Sequence, residues 1–265
     1  MRNTFVWTAA VLATAFTPGV ATDLQAQTDA TNYMYGRCYK ANPGKTQELR
    51  EFFDTIGRTL GEEAVKSGTM ASYSVIEASV PRGRDVTCDF IASNRYVGYP
   101  SDLQLMTDAA LKRLKMKPED VGEKLRAAGY LVQSTLSRLA GAAGSVEEGS
   151  VVRVQTFDVS QGAAYEEFVQ AEIQALAETR VEAGEMQGWG TAVVLQPGGA
   201  NRDFDASAWS VFEDMSAQGK QPNWERHYAK AAPGKSWDDF IDRLIEARTM
   251  VDAGLYAIRV VVSED

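Results

Sequence analysis

Arginine and aromatic residues alternate along two segments, one in each half of the chain. The first segment carries Tyr35, Arg37 and Tyr39, and the second carries Arg153, Gln155 and Phe157 at the same spacing. Residues two apart share one face of a β-strand, so each set points the same way. Arginine supplies a fixed fork of hydrogen-bond donors, and the rings supply apolar surface. This combination is typical of a site for a mostly apolar ligand with an anionic or carbonyl end.

Three further residues are candidates for the same site: Tyr73, Trp189 and Arg259. Their inclusion depends on the strand phase, because a slip of one residue moves a side chain to the opposite face. A second interpretation stays open. The same residues can form the contact between two sheets, with the arginines reaching to the rim.

The segments that carry these residues are predicted to be strands in a regular series of elements. The predicted second-half elements are a strand at Val151–Val159, a helix at 163–183, strands at 186–195 and 206–212, a helix from Trp237 and a strand at 255–262. Helical spacing of apolar residues, a glycine stop and β-branched runs support these assignments. The first half follows the same order, with its last strand at 130–139 and a linker at 140–144.

The opposite face of each first strand is predicted to pack against helices. These residues are Met34, Gly36 and Cys38 in the first half and Val152, Val154 and Thr156 in the second. The arginine-bearing faces then point into the space between two sheets.

The two halves also match in the positions of their turn residues, which indicates an internal repeat. The matching stretches are 39–44 with 157–162, 67–73 with 183–189, and 128–130 with 253–255. Residue identity is low, so the match rests on order and spacing, and chance agreement of short glycine-bearing segments is the alternative.

Each half has the order βαββαβ, which is the ferredoxin-like plan of the α+β class. Such a sheet carries both helices on one face, so two sheets in one chain can cover their open faces by packing sheet to sheet. The arrangement over residues 33–265 resembles the dimeric α+β barrel superfamily in its fused, tandem-repeat form. We therefore predict repeats at 27–144 and 145–265.

Two cysteines, Cys38 and Cys88, fall on the predicted first and third strands. These strands are antiparallel neighbours in a ferredoxin-like sheet, so a structural disulfide is predicted. Two unpaired buried thiols are the alternative. A redox-active pair is disfavoured because the chain has no C-x-x-C motif.

The N-terminus is predicted to be a secretory signal peptide, residues 1–26. Arg2 precedes an uncharged run at 4–16, and small residues follow up to Ala26. Cleavage after Ala21 is a second choice. We expect a periplasmic or secreted protein without a transmembrane anchor after cleavage, because the chain has no apolar run of about 20 residues.

The net charge of the chain limits the classes of partner that it can bind. A net charge of -9 and a pI near 4.8 disfavour nucleic acid and anionic membranes. One histidine and two cysteines do not supply a zinc or copper cluster, and no G-x-S-x-G motif is present. We expect a small amphipathic molecule or a protein as partner, and self-association into a homo-oligomer stays open.

Three functions follow. The first is binding of such a partner without cofactor or catalysis. The second, implied by the superfamily resemblance, is a cofactor-independent oxygenase or isomerase acting on an aromatic or carbonyl substrate. Arg37 or Arg153 would then stabilise an enolate-like oxygen, and Asp89 or His227 would be the base. The third is a haem enzyme, since the chlorite dismutases and dye-decolourising peroxidases hold haem on a histidine; here His227 would be the ligand. An ordinary surface histidine is the alternative.

Overall fold

A computed structural model describes residues 32–79, 88–101, 103, 105–197 and 203–263. The predicted signal peptide, residues 1–26, lies outside this part of the chain. No helix within it is both long and apolar enough to cross a bilayer.

The strands and helical segments follow the order that the sequence predicts. The strands are β1 (Asn32–Ala41), β2 (Ser72–Ala78), β3 (Phe90–Val97), β4 (Gly129–Gly144), β5 (Val151–Val159), β6 (Gly188–Gln196), β7 (Ala206–Phe212) and β8 (Arg248–Ser263). The helices are α1 (Thr46–Phe52), α2 (Arg58–Lys66), α3 (Asp108–Leu114), α4 (Pro118–Ala128), α5 (Gly162–Phe168), α6 (Gln174–Glu182), α7 (Met215–Gln218), α8 (Trp224–Ala231) and α9 (Trp237–Ala247). The prediction of an α+β protein is confirmed.

Among the described residues, the strands form one closed antiparallel barrel. Their order is β1-β3-β2-β8-β5-β7-β6-β4, and β4 pairs back to β1. The first four strands thus lie in the order β4-β1-β3-β2, and the last four in the order β8-β5-β7-β6. The ladders β2–β8 and β4–β6 join the two sets edge to edge. The strands therefore form a continuous barrel wall.

Helices cover the outside of the barrel and bury two apolar clusters against it. The first lies under α1 to α4 and includes Leu49, Phe53 and Phe90. The second lies under α5 to α9 and includes Val169 and Phe240. A third, smaller cluster lies inside the barrel: Val152, Val211, Tyr256 and Ile258.

The first helical segment of each half contains a π-helical turn. Phe53–Gly57 joins α1 to α2, and Val169–Ile173 joins α5 to α6. The second helical segment is interrupted in both halves. In the first half, Lys115 takes a left-handed conformation after α3, and Pro118 then starts α4. In the second half, α7 and α8 precede α9, which Ser236 caps by accepting a hydrogen bond from the Asp239 N–H.

The predicted linker at residues 140–144 is wrong, because these residues form the end of β4. They pair with β6, where Gly141 lies opposite Thr191 and Gly144 opposite Gly188. A side chain at Gly144 would approach the carbonyl oxygen of Gln187 to 2.1 Å. The small residues that suggested a flexible linker therefore permit close strand pairing.

Candidate functional site

Alternate residues of the strands point into the barrel and surround a cavity of about 430 Å³. The inward residues of β1 and β5 are Met34, Gly36, Cys38, Val152, Val154 and Thr156. These are the faces predicted to pack against helices, so the predicted strand phase is wrong by one residue. Both faces of each strand are covered, one by helices and the other by the barrel. Polar alternation therefore does not distinguish them.

Small side chains of the first half line part of the cavity. Gly36, Ser74, Ser93 and Thr135 lie on neighbouring strands and face inward. The apolar cluster of the second half fills the opposite side of the barrel. The result is a largely apolar space that several hydroxyl-bearing side chains border.

Arg95 brings a positive charge to this space. It lies opposite Met34 on β1 and Ser72 on β2, which also line the cavity. Its Nε is buried without a hydrogen-bond partner, and no described carboxylate forms an ion pair with it. An uncompensated guanidinium in a partly enclosed site costs free energy, and an anionic or carbonyl oxygen would offset that cost.

The Cys38–Cys88 disulfide forms part of the cavity wall at the other end of the barrel, and the predicted bridge is confirmed. Its Cα atoms are 5.2 Å apart. Cys88 lies just before β3 rather than on it. Two carboxylates, Asp203 and Asp252, also line the cavity. Asp252 lies opposite Thr156 on β5, toward the disulfide end.

Four of the predicted site residues lie together, but beneath the helices. Arg37 Nη2 donates a hydrogen bond to Asn94 Oδ1 at 2.8 Å, and its guanidinium lies 5.5 Å from the centre of the Tyr35 ring. Burial raises the pKa of Tyr39, and the neighbouring Arg37 opposes that rise. Burial also raises the pKa of Tyr73, which packs against α2. Arg37 borders the cavity, but these contacts hold its side chain on the helix side.

The other predicted site residues are separate from this cluster. Arg259 forms an ion pair with Asp54 at 2.7 Å. Gln155 Nε2 donates to the Met250 sulfur at 3.4 Å. Arg153 and Phe157 share the outward face of β5 with Gln155, and Trp189 borders the cavity while its ring lies beside Gln174. Their role in ligand binding stays a prediction, since the structure does not gather them around one space.

Asp89, one predicted base, has a structural contact. Its Oδ2 accepts a hydrogen bond from the Ala41 N–H at 2.8 Å. Asp205 Oδ2 likewise accepts a hydrogen bond from the Val159 N–H at 2.9 Å. Each carboxylate thus fixes the end of a strand, β1 or β5, and Asp89 is not among the residues that line the cavity.

His227 lies on α8, outside the barrel. Its Nε2 lies 2.7 Å from Glu185 Oε1, and Arg180 Nε also donates to Glu185. Burial raises the pKa of Glu185, but these two hydrogen bonds outweigh it and the pKa is lowered. The recess beside His227 is polar, lined by Thr179, Glu182, Ala183, Glu185, Asn223, Arg226, His227 and Lys230. A haem needs an apolar slot and a free imidazole nitrogen facing it, so the residues around His227 do not fit this group.

Comparison with known proteins gives similarity of fold. No protein-family model and no curated protein matches this sequence. The structure of a candidate monooxygenase from Fusobacterium nucleatum is similar, with a TM-score of 0.52 and 11% identity over 89% of this chain and 96% of that one. A candidate monooxygenase from Lactobacillus acidophilus has a TM-score of 0.50 and 8% identity, covering 89% and 97% of the two chains. These similarities are consistent with the predicted α+β barrel superfamily and identify no specific family.

Proposed function

We propose that the barrel interior binds a small, mostly apolar molecule with an anionic or carbonyl end. The observation that carries this proposal is Arg95, which forms no ion pair with any described carboxylate and borders a cavity lined largely by apolar and hydroxyl-bearing side chains. The volume of about 430 Å³ falls in the range of small-molecule sites. Arg95 would hold the charged end, and Ser74 and Ser93 would accept or donate further hydrogen bonds.

The test is calorimetric titration with two acids of equal carbon number, undecanoate and 2-naphthoate. We expect Arg95→Gln to weaken binding of any acid that binds by about 10- to 100-fold, as for loss of a charge-assisted hydrogen bond. Arg153→Gln is the matched control, because Arg153 faces outward on β5, and it should bind like the wild type. Loss of affinity in Arg153→Gln but not in Arg95→Gln would reject the barrel site. Failure of both acids to bind would reject it as well.

A second candidate function is cofactor-independent oxidation of a ligand in the same cavity. It is favoured by the fold similarity to two candidate monooxygenases and by two carboxylates, Asp203 and Asp252, that line the cavity toward the disulfide end, across from Arg95. A carboxylate would take a proton from an acidic CH₂ group, and Arg95 would stabilise the resulting enolate oxygen. Dioxygen would then oxidise the CH₂ group to a carbonyl with release of one water.

Oxygen uptake with anthrone as the probe tests this second function. One anthrone and one O₂ give one anthraquinone and one water. We expect uptake above the spontaneous rate, reduced in Arg95→Gln and unchanged in Arg153→Gln. Uptake equal to that of a boiled sample would reject the oxidation, and the binding proposal would stand on its own titration.

We also infer that the two halves are tandem repeats, 27–144 and 145–265. The matching π-helical turns and the paired Asp89 and Asp205 contacts support this. Export is proposed with cleavage after Ala26, supported by the disulfide, which persists in oxidising compartments. Homo-oligomerisation stays a prediction, and sedimentation velocity tests it.

A further inference from the structure

Trp209 projects from β7 into the barrel and lies across β6 at Gly190. The two residues are directly opposite in the β6–β7 ladder. A methyl group at position 190 would lie 2.2 Å from Cζ2 of the indole, 2.5 Å from Cε2 and 2.9 Å from Nε1. These atoms occupy the space that a side chain at 190 would take. One side of the indole therefore rests on the β6 backbone, as in the known pairing of aromatic residues with cross-strand glycines.

The rest of the ring borders the cavity, and small residues lie at the middle of the facing wall. Trp209 lines the cavity together with Gly36, Ser74 and Ser93. Ser93 occupies on β3 the place that Trp209 occupies on β7, since each lies at the middle of the strand between its two ladders. The barrel interior is thus asymmetric at these two equivalent positions, with an indole at 209 and a small side chain at 93. Such a space favours a flat molecule.

We propose that Trp209 is a stacking platform and that the ligand of the barrel is a planar aromatic acid. This inference rests on the proposed binding site and adds its substrate class. Arg95 holds the acidic group, and the indole contacts the ring. Gly190 is a specificity-determining residue, because its missing side chain gives the indole the room to lie against β6.

The test compares affinities for 2-naphthoate and undecanoate, which have the same charge and carbon number but differ in shape. The wild type should prefer 2-naphthoate by about tenfold, as expected for a favourable aromatic pair. Trp209→Leu should abolish the preference, and Trp209→Phe should keep most of it. Gly190→Ala should reduce it, because the new methyl group displaces the indole.

Two controls separate the platform from general effects on folding. Trp224→Leu removes an exposed indole on α8, which packs on Arg180 outside the barrel, and should leave the preference unchanged. Gly162→Ala places a methyl group whose nearest neighbour is 3.9 Å away and should also bind like the wild type. Circular dichroism confirms folding of each variant. If Trp209→Leu does not fold, the affinities of Trp209→Phe and Gly190→Ala for the two acids test the platform instead.

The outcomes distinguish this inference from the proposed function beneath it. Equal affinity of the wild type for both acids, with both weakened in Arg95→Gln, would overturn the aromatic platform and leave the binding site in place. A preference for 2-naphthoate that survives in both Trp209→Leu and Gly190→Ala would also overturn it. Binding of neither acid would overturn both proposals.

Discussion

Two charged side chains of this protein, those of Glu172 and Arg95, differ in how many partners surround them. Glu172, on the π-helical turn before α6, is 4% exposed and is surrounded by donors. It accepts hydrogen bonds from Tyr228 at 2.6 Å, Lys235 at 3.0 Å and both terminal nitrogens of Arg243. Arg95 has a buried Nε and no such partner. A structural charge is thus fully paired, whereas Arg95, which meets no carboxylate among the described residues, lies at the cavity, as expected where a ligand completes the pairing.

The pairing of Glu172 predicts how stability depends on pH. The hydrogen bond from Arg243 is the main cause that lowers its pKa from 4.5 to about 2, against the opposing effect of burial. A lowered folded-state pKa stabilises the fold above the unfolded value, and that contribution disappears as pH falls from about 4.5 through about 2. At pH 7, we expect Glu172→Gln to lower the free energy of unfolding by about 2 kcal/mol.

Urea denaturation at several pH values measures this difference. It should shrink as the solution is acidified toward pH 2, because wild-type Glu172 then becomes protonated as well. Glu182→Gln is the control, since the Glu182–Lys230 pair is exposed and should contribute little. A Glu172→Gln difference that is constant with pH would show that the carboxylate charge is not the source of the effect.

At the scale of elements, contact between α2 and β2 depends on a glycine. A methyl group at Gly61 would lie 2.4 Å from Cδ1 of Tyr73, a ring that is 1% exposed. Gly61→Ala should therefore destabilise the protein by about 1–3 kcal/mol, although alanine is the better helix former. Gly122→Ala on α4 is the matched control, because its methyl group meets only the flexible end of Arg126.

Thermal unfolding of the two variants checks this prediction. We expect a lower melting temperature for Gly61→Ala, and for Gly122→Ala a value equal to or above that of the wild type. Equal melting temperatures for Gly61→Ala and the wild type would contradict the close packing of Tyr73 on α2.

Element order was predictable from the sequence, whereas strand phase was not. Turn residues and apolar spacing located the helix at residues 162–182 and the strand Ala206–Phe212, because such signals are local. The phase of β1 and β5 depends on which face meets the helices. Tyr39 and Cys38 are both buried, so neither face has the polar signature of a surface. The residues predicted for the site on β1 and β5 therefore lie on the helix-covered face, and the prediction did not include Arg95 and Trp209, which line the cavity.

A partial signal for the correct site was present. Ser72 and Ser74 alternate on β2, as Ser93 and Arg95 do on β3, and each pair places small or polar residues on one face. Polar residues also occur on the helix-covered faces, where Arg37 lies on β1 and Arg153 on β5. Only closure of the barrel, which requires the β2–β8 and β4–β6 ladders, decides which set faces inward.

At the scale of the whole molecule, the disulfide constrains the wall of the barrel. It links β1 to the residues just before β3 across a separation of 50 residues. The chain-entropy relation gives such a link about 4 kcal/mol of stabilisation. We expect Cys38→Ser/Cys88→Ser to lower the free energy of unfolding by about that amount, measured by denaturant unfolding. Unchanged stability would show that the bridge does not constrain the unfolded chain.

Intact mass spectrometry of the wild-type protein supplies the control for that experiment. The wild type should lack residues 1–26 and be lighter by two hydrogens than the reduced chain. A mass that retains the first 26 residues would contradict the proposed export signal.

The central claim is that the barrel interior binds the ligand, and amide chemical-shift mapping with 2-naphthoate tests it most directly. The account predicts that the largest shifts fall on inward-facing residues of β2, β3 and β7, such as Ser74, Ser93, Arg95 and Trp209. The amides of α8 around His227 should stay unchanged. Shifts concentrated at α8, or around Arg37 and Tyr73 beneath α2, would place the site outside the barrel and contradict the account.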